Sequence, residues 1–166
     1  MKYNVYNDWP RKNVIFTDFT PSMIDGEEFQ KIVKLLSEKV PDDVDYIVSP
    51  EARGFIWGSA VANHLGKGFI PLRKKRKLPE DAVMASYDYK TEYSVDTLEI
   101  PKCSIKNSKC FFVDDVLATG GTFKAAKVLI DTLNANLIGG VVIYNIGLKD
   151  IVRVKHLYFA ELPLKK

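Results

Sequence analysis

Cys110-Phe111-Phe112-Val113-Asp114-Asp115-Val116-Leu117-Ala118-Thr119-Gly120-Gly121-Thr122 is the stretch that decides how this chain is read. Residues 110–113 read as a buried apolar strand, residues 114–122 as a loop with two carboxylates and two glycines, and residues 123–133 as a helix that stops before Asn134. Gly139 and Gly140 then introduce Val141-Val142-Ile143-Tyr144, another apolar strand. A similar order occurs upstream. Tyr46-Ile47-Val48 runs into the turn-like Ser49-Pro50, and a helical segment follows from Gly54 to Leu65. Gly66 and Gly68 break that helix, and Phe69-Ile70-Pro71-Leu72 reads as a strand. This repetition predicts an α/β fold, a mostly parallel sheet flanked by helices on both faces. Ligands in such sheets bind beyond the carboxyl ends of the strands, where residues 114–122 fall.

Nearer the N-terminus, Asp25-Gly26-Glu27-Glu28 has the form of a helix start, with Asp25 capping and Glu28 reaching back. Phe29, Ile32, Val33, Leu36 and Val40 then give one apolar face up to Pro41. After residue 72 a polar segment runs to about Ser94, and Thr97-Leu98-Glu99-Ile100 alternates as a strand on a sheet with one wet face. With 166 residues, 46% of them hydrophobic, and no repeat or linker, one domain over residues 1–166 is expected. The absence of a run of about 18 apolar residues argues against a membrane span. Residues 1–8 lack an apolar signal-peptide core, and Cys103 and Cys110 have no metal-ligand neighbours, so a cytoplasmic protein is expected. A net charge of +3 does not call for nucleic acid, although positive charge collects in Arg73-Lys74-Lys75-Arg76-Lys77.

The helix after residue 122 offers unbonded amides and a partial positive charge, which suit a phosphate. Gly120 and Gly121 let the backbone come close, and the hydroxyls of Thr119 and Thr122 can donate. Glycine pairs also serve simply as turns. Asp114 and Asp115 end an apolar strand, where neighbouring side chains point to opposite faces and burying both anions is costly without partners. Either one caps a helix while the other meets a surface lysine, or both bind vicinal hydroxyls of a sugar whose phosphate lies a few residues on, with a divalent cation nearby. Only the second use accounts for both halves of the loop. The Walker spacing is absent. The basic run fits a solvated face or a localisation signal as well as an anion site, and its position directly after a strand favours the anion site.

Residues 113–122 resemble the phosphoribosyl pyrophosphate motif of the type I phosphoribosyltransferases, and the form Leu117-Ala118-Thr119-Gly120-Gly121-Thr122 resembles that family's adenine branch. Glu51-Ala52-Arg53-Gly54-Phe55, residues 73–79, and Glu92-Tyr93 with Asp96-Thr97-Leu98-Glu99-Ile100 are similar to further segments of it, in the same order. The resemblance covers roughly residues 10 to 145. It implies an enzyme that moves the 5-phosphoribosyl group of phosphoribosyl pyrophosphate onto adenine, giving AMP and pyrophosphate. It further implies Mg2+, a homodimer, and neither a nucleic-acid nor a membrane partner.

By the same resemblance, Asp114, Asp115, Ala118, Thr119, Gly120, Gly121 and Thr122 would hold ribose 5-phosphate. Arg53, Arg73, Lys74 and Lys77 would face pyrophosphate, and Glu92 and Tyr93, on a closing loop, would be catalytic together with Arg53. Residues 1–20 would contribute to a small N-terminal hood in which Ile15 and Phe16 sandwich the purine, with Leu148 packing on it. Magnesium would be held mainly through substrate oxygens, near Asp114 or Asp115. His64 and His156 match nothing catalytic. The chain departs from the family at Thr17, where arginine is common, at Ser94, where glycine is common, and over residues 145–150, where a Glu-Leu pair is usual. These departures leave open another purine (xanthine, hypoxanthine or guanine), and a separate rival is a non-catalytic sensor of phosphoribosyl pyrophosphate that binds nucleic acid through the basic run.

Overall fold

The computed structural model describes residues 1–90, 94–146 and 158–161. Along the chain these form β1 (Asn4–Asn7), β2 (Ile15–Asp18), α1 (Thr20–Ile24), α2 (Gly26–Ser37), β3 (Tyr46–Pro50), α3 (Arg53–Leu65), β4 (Gly68–Lys74), β5 (Val83–Lys90), β6 (Val95–Pro101), β7 (Lys109–Leu117), α4 (Gly121–Thr132), β8 (Asn136–Asn145) and β9 (Tyr158–Glu161). The main sheet has the order β5-β6-β4-β3-β7-β8-β9. Its members from β4 to β9 pair in parallel, while β6 and β5 join antiparallel beyond β4. The expected mostly parallel α/β sheet is therefore present, with an antiparallel flank. Strands β1 and β2 form a separate two-stranded sheet, registered from Asn4 opposite Asp18 to Asn7 opposite Ile15.

Alternation along β7 explains the layers. Phe111 and Val113 belong to a buried cluster with Phe19, Ile32, Leu36 and Trp57, from the side of α2 and α3. Cys110 and Phe112 belong to the opposite cluster, with Leu98, Phe123, Ala126 and Leu129, from the side of β6 and α4. Successive strand residues point to opposite faces, so one apolar run feeds two cores. Each such side chain contributes about 1.5–3 kcal/mol when fully buried. No helix among the described residues is long and apolar enough to cross a membrane.

The structure departs from the sequence expectations in five places. First, the strand expected at residues 110–113 continues to Leu117, because β8 pairs with it as far as Leu117 opposite Asn145. The two aspartates therefore lie inside a strand, and the loop shrinks to residues 118–120, with α4 starting at Gly121. Second, the polar segment before Ser94 contains β5, whose Ala85 and Tyr87 pack on the core while Met84, Ser86 and Asp88 are exposed.

Third, Thr97, Leu98, Glu99 and Ile100 are all buried, so β6 has no wet face. As an interior strand it meets polar partners from the protein instead of water: Thr97 Oγ1 donates to Asp88 Oδ1 at 2.7 Å, and Glu99 Oε1 accepts from the Arg76 amide at 3.3 Å. Fourth, α2 ends at Ser37, short of Val40. Fifth, Asp25 caps α2 by accepting from the Glu28 amide at 3.1 Å, but Glu28 does not complete the expected reciprocal bond. Its carboxylate pairs at 3.0 Å with the terminal ammonium of Met1, a full charge that outcompetes a neutral amide.

Candidate functional site

At the carboxyl ends of β3 and β7 the structure holds a cavity of about 270 Å³. Of the residues singled out from the sequence, Ile15, Phe16, Arg53, Lys74, Asp114, Asp115, Ala118, Thr119, Gly120 and Thr122 line it. Arg73, Lys77 and Gly121 do not. Glu92, Tyr93 and Leu148 lie outside the described residues, as does His156, while His64 is exposed on α3. Glu51, Tyr89, Ser94 and Asp96 also line the cavity without having been assigned a role from sequence. The spacing of Ala85, Tyr87 and Tyr89 at every second residue was the signal that a strand carries Tyr89 to this place.

Asp114 is 9% exposed and Asp115 2%. Although strand neighbours alternate, both carboxylates end against the first turn of α3. Asp114 Oδ1 lies 3.0 Å from where a Cβ on Gly54 would be, so the bare glycine makes room for it. Asp115 Oδ2 lies 2.9 Å from Arg53 Nε, but without an aligned hydrogen bond, so the contact is an ion pair only. Asp114 Oδ1 accepts from the Asp115 amide at 2.9 Å. Burial pushes the Asp114 carboxyl well above the usual range, and the neighbouring Asp115 adds to this. Burial also raises Asp115, against the pull of the Arg53 guanidinium. The positive end of the α3 dipole favours the two charges further.

Arg53 joins three parts of the cavity. Besides Asp115, its Nη1 donates to the Thr17 carbonyl at 2.9 Å, and its guanidinium sits 4.7 Å from the centre of the Phe16 ring. Phe16 in turn meets Trp9 edge-on at 4.5 Å, and Ile15 is 55% exposed. The side chain of Thr17 is buried.

Below the aspartates the chain turns into α4 through Gly120, whose φ of 78° belongs to the left-handed region where a side chain is strained. Thr119 Oγ1 accepts from the Gly121 amide at 3.3 Å. A Cβ on Gly121 would meet the Lys90 carbonyl at 2.2 Å, so the turn is packed directly against the end of β5. With Thr122 and Phe123 on the cavity wall, the helix start presents its amides to an anion there.

The basic run is less free than its composition suggests. Arg73 Nε donates to Glu51 Oε2 at 3.0 Å, and the same oxygen accepts from the Lys74 amide at 3.0 Å. The Lys74 ammonium is held by Asp96 and by the Tyr89 hydroxyl, the latter at 3.0 Å. Burial works to lower the Lys74 pKa, but the bonds to Asp96 and Tyr89 outweigh it and hold the group above its ordinary value. Lys77 is exposed, tied by its amide to the Lys74 carbonyl at 3.1 Å.

A parallel sheet ending in a buried acid pair, followed by a glycine turn into a helix, offers acceptors for hydroxyls beside amides for an anion. The family model for the phosphoribosyl transferase domain matches residues 23–160, and the chain belongs to this family. Adenine phosphoribosyltransferases are among the curated proteins it is similar to. The one from Mycoplasma mobile is 44% identical over 135 residues, covering 81% of this chain and 77% of that one. The one from Halothermothrix orenii is 43% identical over 145 residues, covering 86% and 84%. Among solved structures, the adenine phosphoribosyltransferase of Thermoanaerobacter pseudethanolicus superposes with a TM-score of 0.87 at 32% identity, over 96% of this chain and 95% of that one. The Saccharomyces cerevisiae enzyme, complexed with an imino-altritol bisphosphate and adenine, superposes with a TM-score of 0.80 at 34% identity, over 96% and 92%.

Proposed function

We propose that this chain transfers the 5-phosphoribosyl group of phosphoribosyl pyrophosphate to adenine, releasing AMP and pyrophosphate, as a step of purine salvage. The observation that carries the reading is the position of Arg53. One side chain touches the aromatic Phe16 on the hood, the backbone of Thr17, and the buried carboxylate Asp115. A flat apolar ring and a pair of acids, joined across one cavity, match a substrate pair made of a planar base and a sugar. The shared name of the relatives and the adenine bound in the yeast enzyme support adenine as the base.

In this reading a ring nitrogen of the base forms a bond to C1 of the ribose while the bond from C1 to the pyrophosphate oxygen breaks, the electron pair leaves on pyrophosphate, and the proton carried by that nitrogen passes to water or to the departing pyrophosphate. Asp114 and Asp115 accept hydrogen bonds from the ribose hydroxyls, each bond to a charged group contributing about 1.5–3 kcal/mol. The turn at residues 118–122 and the start of α4 hold the 5-phosphate. Arg53 and Lys74, with Arg73 and Lys77 close behind, balance the charge gathering on the leaving group. Ile15 and Phe16 bound the base side, residues 1–20 act as the hood of a single domain over residues 1–166, and the resemblance assigns Leu148, outside the described residues, to the base. The family resemblance gives Glu92 and Tyr93, which lie outside the described residues, a catalytic role beside Arg53.

The two carboxylates fit magnesium, because their oxygens are hard donors and Asp115 Oδ2 is buried without an aligned hydrogen bond. Asp114 or Asp115 would hold magnesium together with oxygens of the substrate, and when bound it would neutralise part of the pyrophosphate charge. The enzyme works in the cytoplasm as a homodimer.

The test is a product assay with phosphoribosyl pyrophosphate, magnesium and one base per reaction: adenine, hypoxanthine, guanine or xanthine. AMP from adenine is expected. A nucleotide from another base instead would keep the chemistry and move the specificity, whereas tight binding of phosphoribosyl pyrophosphate without any product would make the chain a sensor.

A further inference from the structure

We propose that Asp96 is a positioning residue, which together with Tyr89 aims the Lys74 ammonium at the pyrophosphate. This rests on reading the cavity as the phosphoribosyl pyrophosphate site. The strand pairing sets the device up. Asp96 of β6 is registered directly opposite Tyr89 of β5, and Lys74, the last residue of β4, is registered opposite Leu98, two residues along β6 from Asp96. Residues directly opposite in a sheet share a face, and from that face the Asp96 carboxylate and the Tyr89 hydroxyl both take protons of the Lys74 ammonium. The ammonium also sits 5.5 Å from the centre of the Tyr89 ring.

Asp96 is itself fixed. Its other oxygen accepts from the Thr97 amide at 2.8 Å, and the Thr97 hydroxyl is tied to Asp88 at 2.7 Å. A carboxylate that merely screened a surface lysine would not need such anchoring. An ammonium has three protons, and two acceptors from β5 and β6 leave the third for an incoming anion. Lys74, Tyr89 and Asp96 all line the cavity, so the third proton has a ligand to meet. Lysine is otherwise a flexible point charge, and fixing its head group before binding lowers the cost of holding pyrophosphate.

A double-mutant cycle on the intact enzyme tests this, using Asp96→Asn, Lys74→Met and the pair. Two quantities are measured: the KM for phosphoribosyl pyrophosphate at saturating adenine, and the affinity for inorganic pyrophosphate with magnesium by calorimetry. Asp96→Asn is expected to raise that KM and weaken pyrophosphate by about ten-fold, the worth of one bond to a charged group, with a smaller loss of kcat and no change in the KM for adenine. In the Lys74→Met background the same substitution is expected to do nothing more, and Asp96→Glu is expected to restore most of the loss. Equal effects of Asp96→Asn in both backgrounds, or tighter pyrophosphate binding once its charge is removed, would overturn the proposal. The wild-type assay separates the two levels: no nucleotide from any base together with no binding of phosphoribosyl pyrophosphate sinks the reading of the site, while nucleotide formation with an additive cycle sinks only the role of Asp96.

Discussion

The two halves of the cavity handle charge in opposite ways. At the end of β7, two buried carboxylates share a single arginine, and burial drives both carboxyls upward. At the end of β4, each cation of the basic run that is partly buried already has an acid: Glu51 for Arg73, and Asp96 for Lys74. The first half is short of hydrogen-bond donors and waits for a ligand that brings them. The second holds Arg73 and Lys74 in place with acids and adds the exposed Lys77, so it meets an anion with donors whose geometry is already set. A sugar with free hydroxyls suits the former and pyrophosphate the latter.

This contrast is most directly broken at Asp115. Asp115→Asn is expected to lower AMP formation by about 100-fold or more, because a neutral amide is a weaker acceptor and turns one donor toward the ribose. The melting temperature at neutral pH is expected to stay level or rise, since a buried charge is removed. The sign of the pH dependence follows from the raised carboxyls. Between the ordinary carboxylate value, about 4, and the raised value, the folded chain holds protons that the unfolded chain releases. The stability these two groups allow is full below about pH 4 and is lost as pH rises through the raised values. Asp115→Asn is expected to flatten that fall, as followed by thermal unfolding across pH. An unchanged slope together with normal turnover would mean that the acid pair is inert.

Gly121→Ala probes the seam between the halves, because the new methyl would press on the Lys90 carbonyl at the end of β5. Backbone on both sides has to shift. The expected result is a loss of about 1–3 kcal/mol in stability and roughly ten-fold in affinity for phosphoribosyl pyrophosphate, read by denaturant unfolding and by KM.

The smallest effect belongs to the neutralised half. Burial works to raise Glu51, but the bonds from the Lys74 amide and Arg73 prevail and hold its carboxyl below the ordinary value. Its contribution is therefore present above about pH 4.3 and is lost as pH falls through the depressed value. Glu51→Gln is expected to cost about 1 kcal/mol at neutral pH, with the difference from wild type vanishing in acid. That is the reverse of the trend for Asp115→Asn, and opposite slopes in the two variants are what the comparison requires.

Much of this molecule is legible along the chain, in a particular way. The parallel centre of the sheet could be read because β3, β4, β7 and β8 are short apolar runs bounded by glycine, proline or aspartate, and buried parallel strands have that composition. The acid pair and the glycine turn were also evident, since their residue types are costly or rare unless a ligand uses them. By contrast β5 looked like loop, because an edge strand keeps one face in water and its polar residues dilute the signal. The burial of Thr97 and Glu99 was hidden for a related reason. Whether a polar residue faces water or a partner such as Asp88 or the Arg76 amide depends on which strand lies alongside.

The sequence by itself determined the alternation of strand and helix, the site at the strand ends, and the family, because backbone periodicity and residue chemistry are local properties. Only the tertiary structure decided that Arg53 spans the β1–β2 sheet and the acid pair, that Lys74 is held by Asp96 and Tyr89, and that Gly121 must stay bare against Lys90. Each of these is a contact between residues at least 15 apart in the chain. Such contacts arise from strand order and register, which side-chain chemistry alone does not specify.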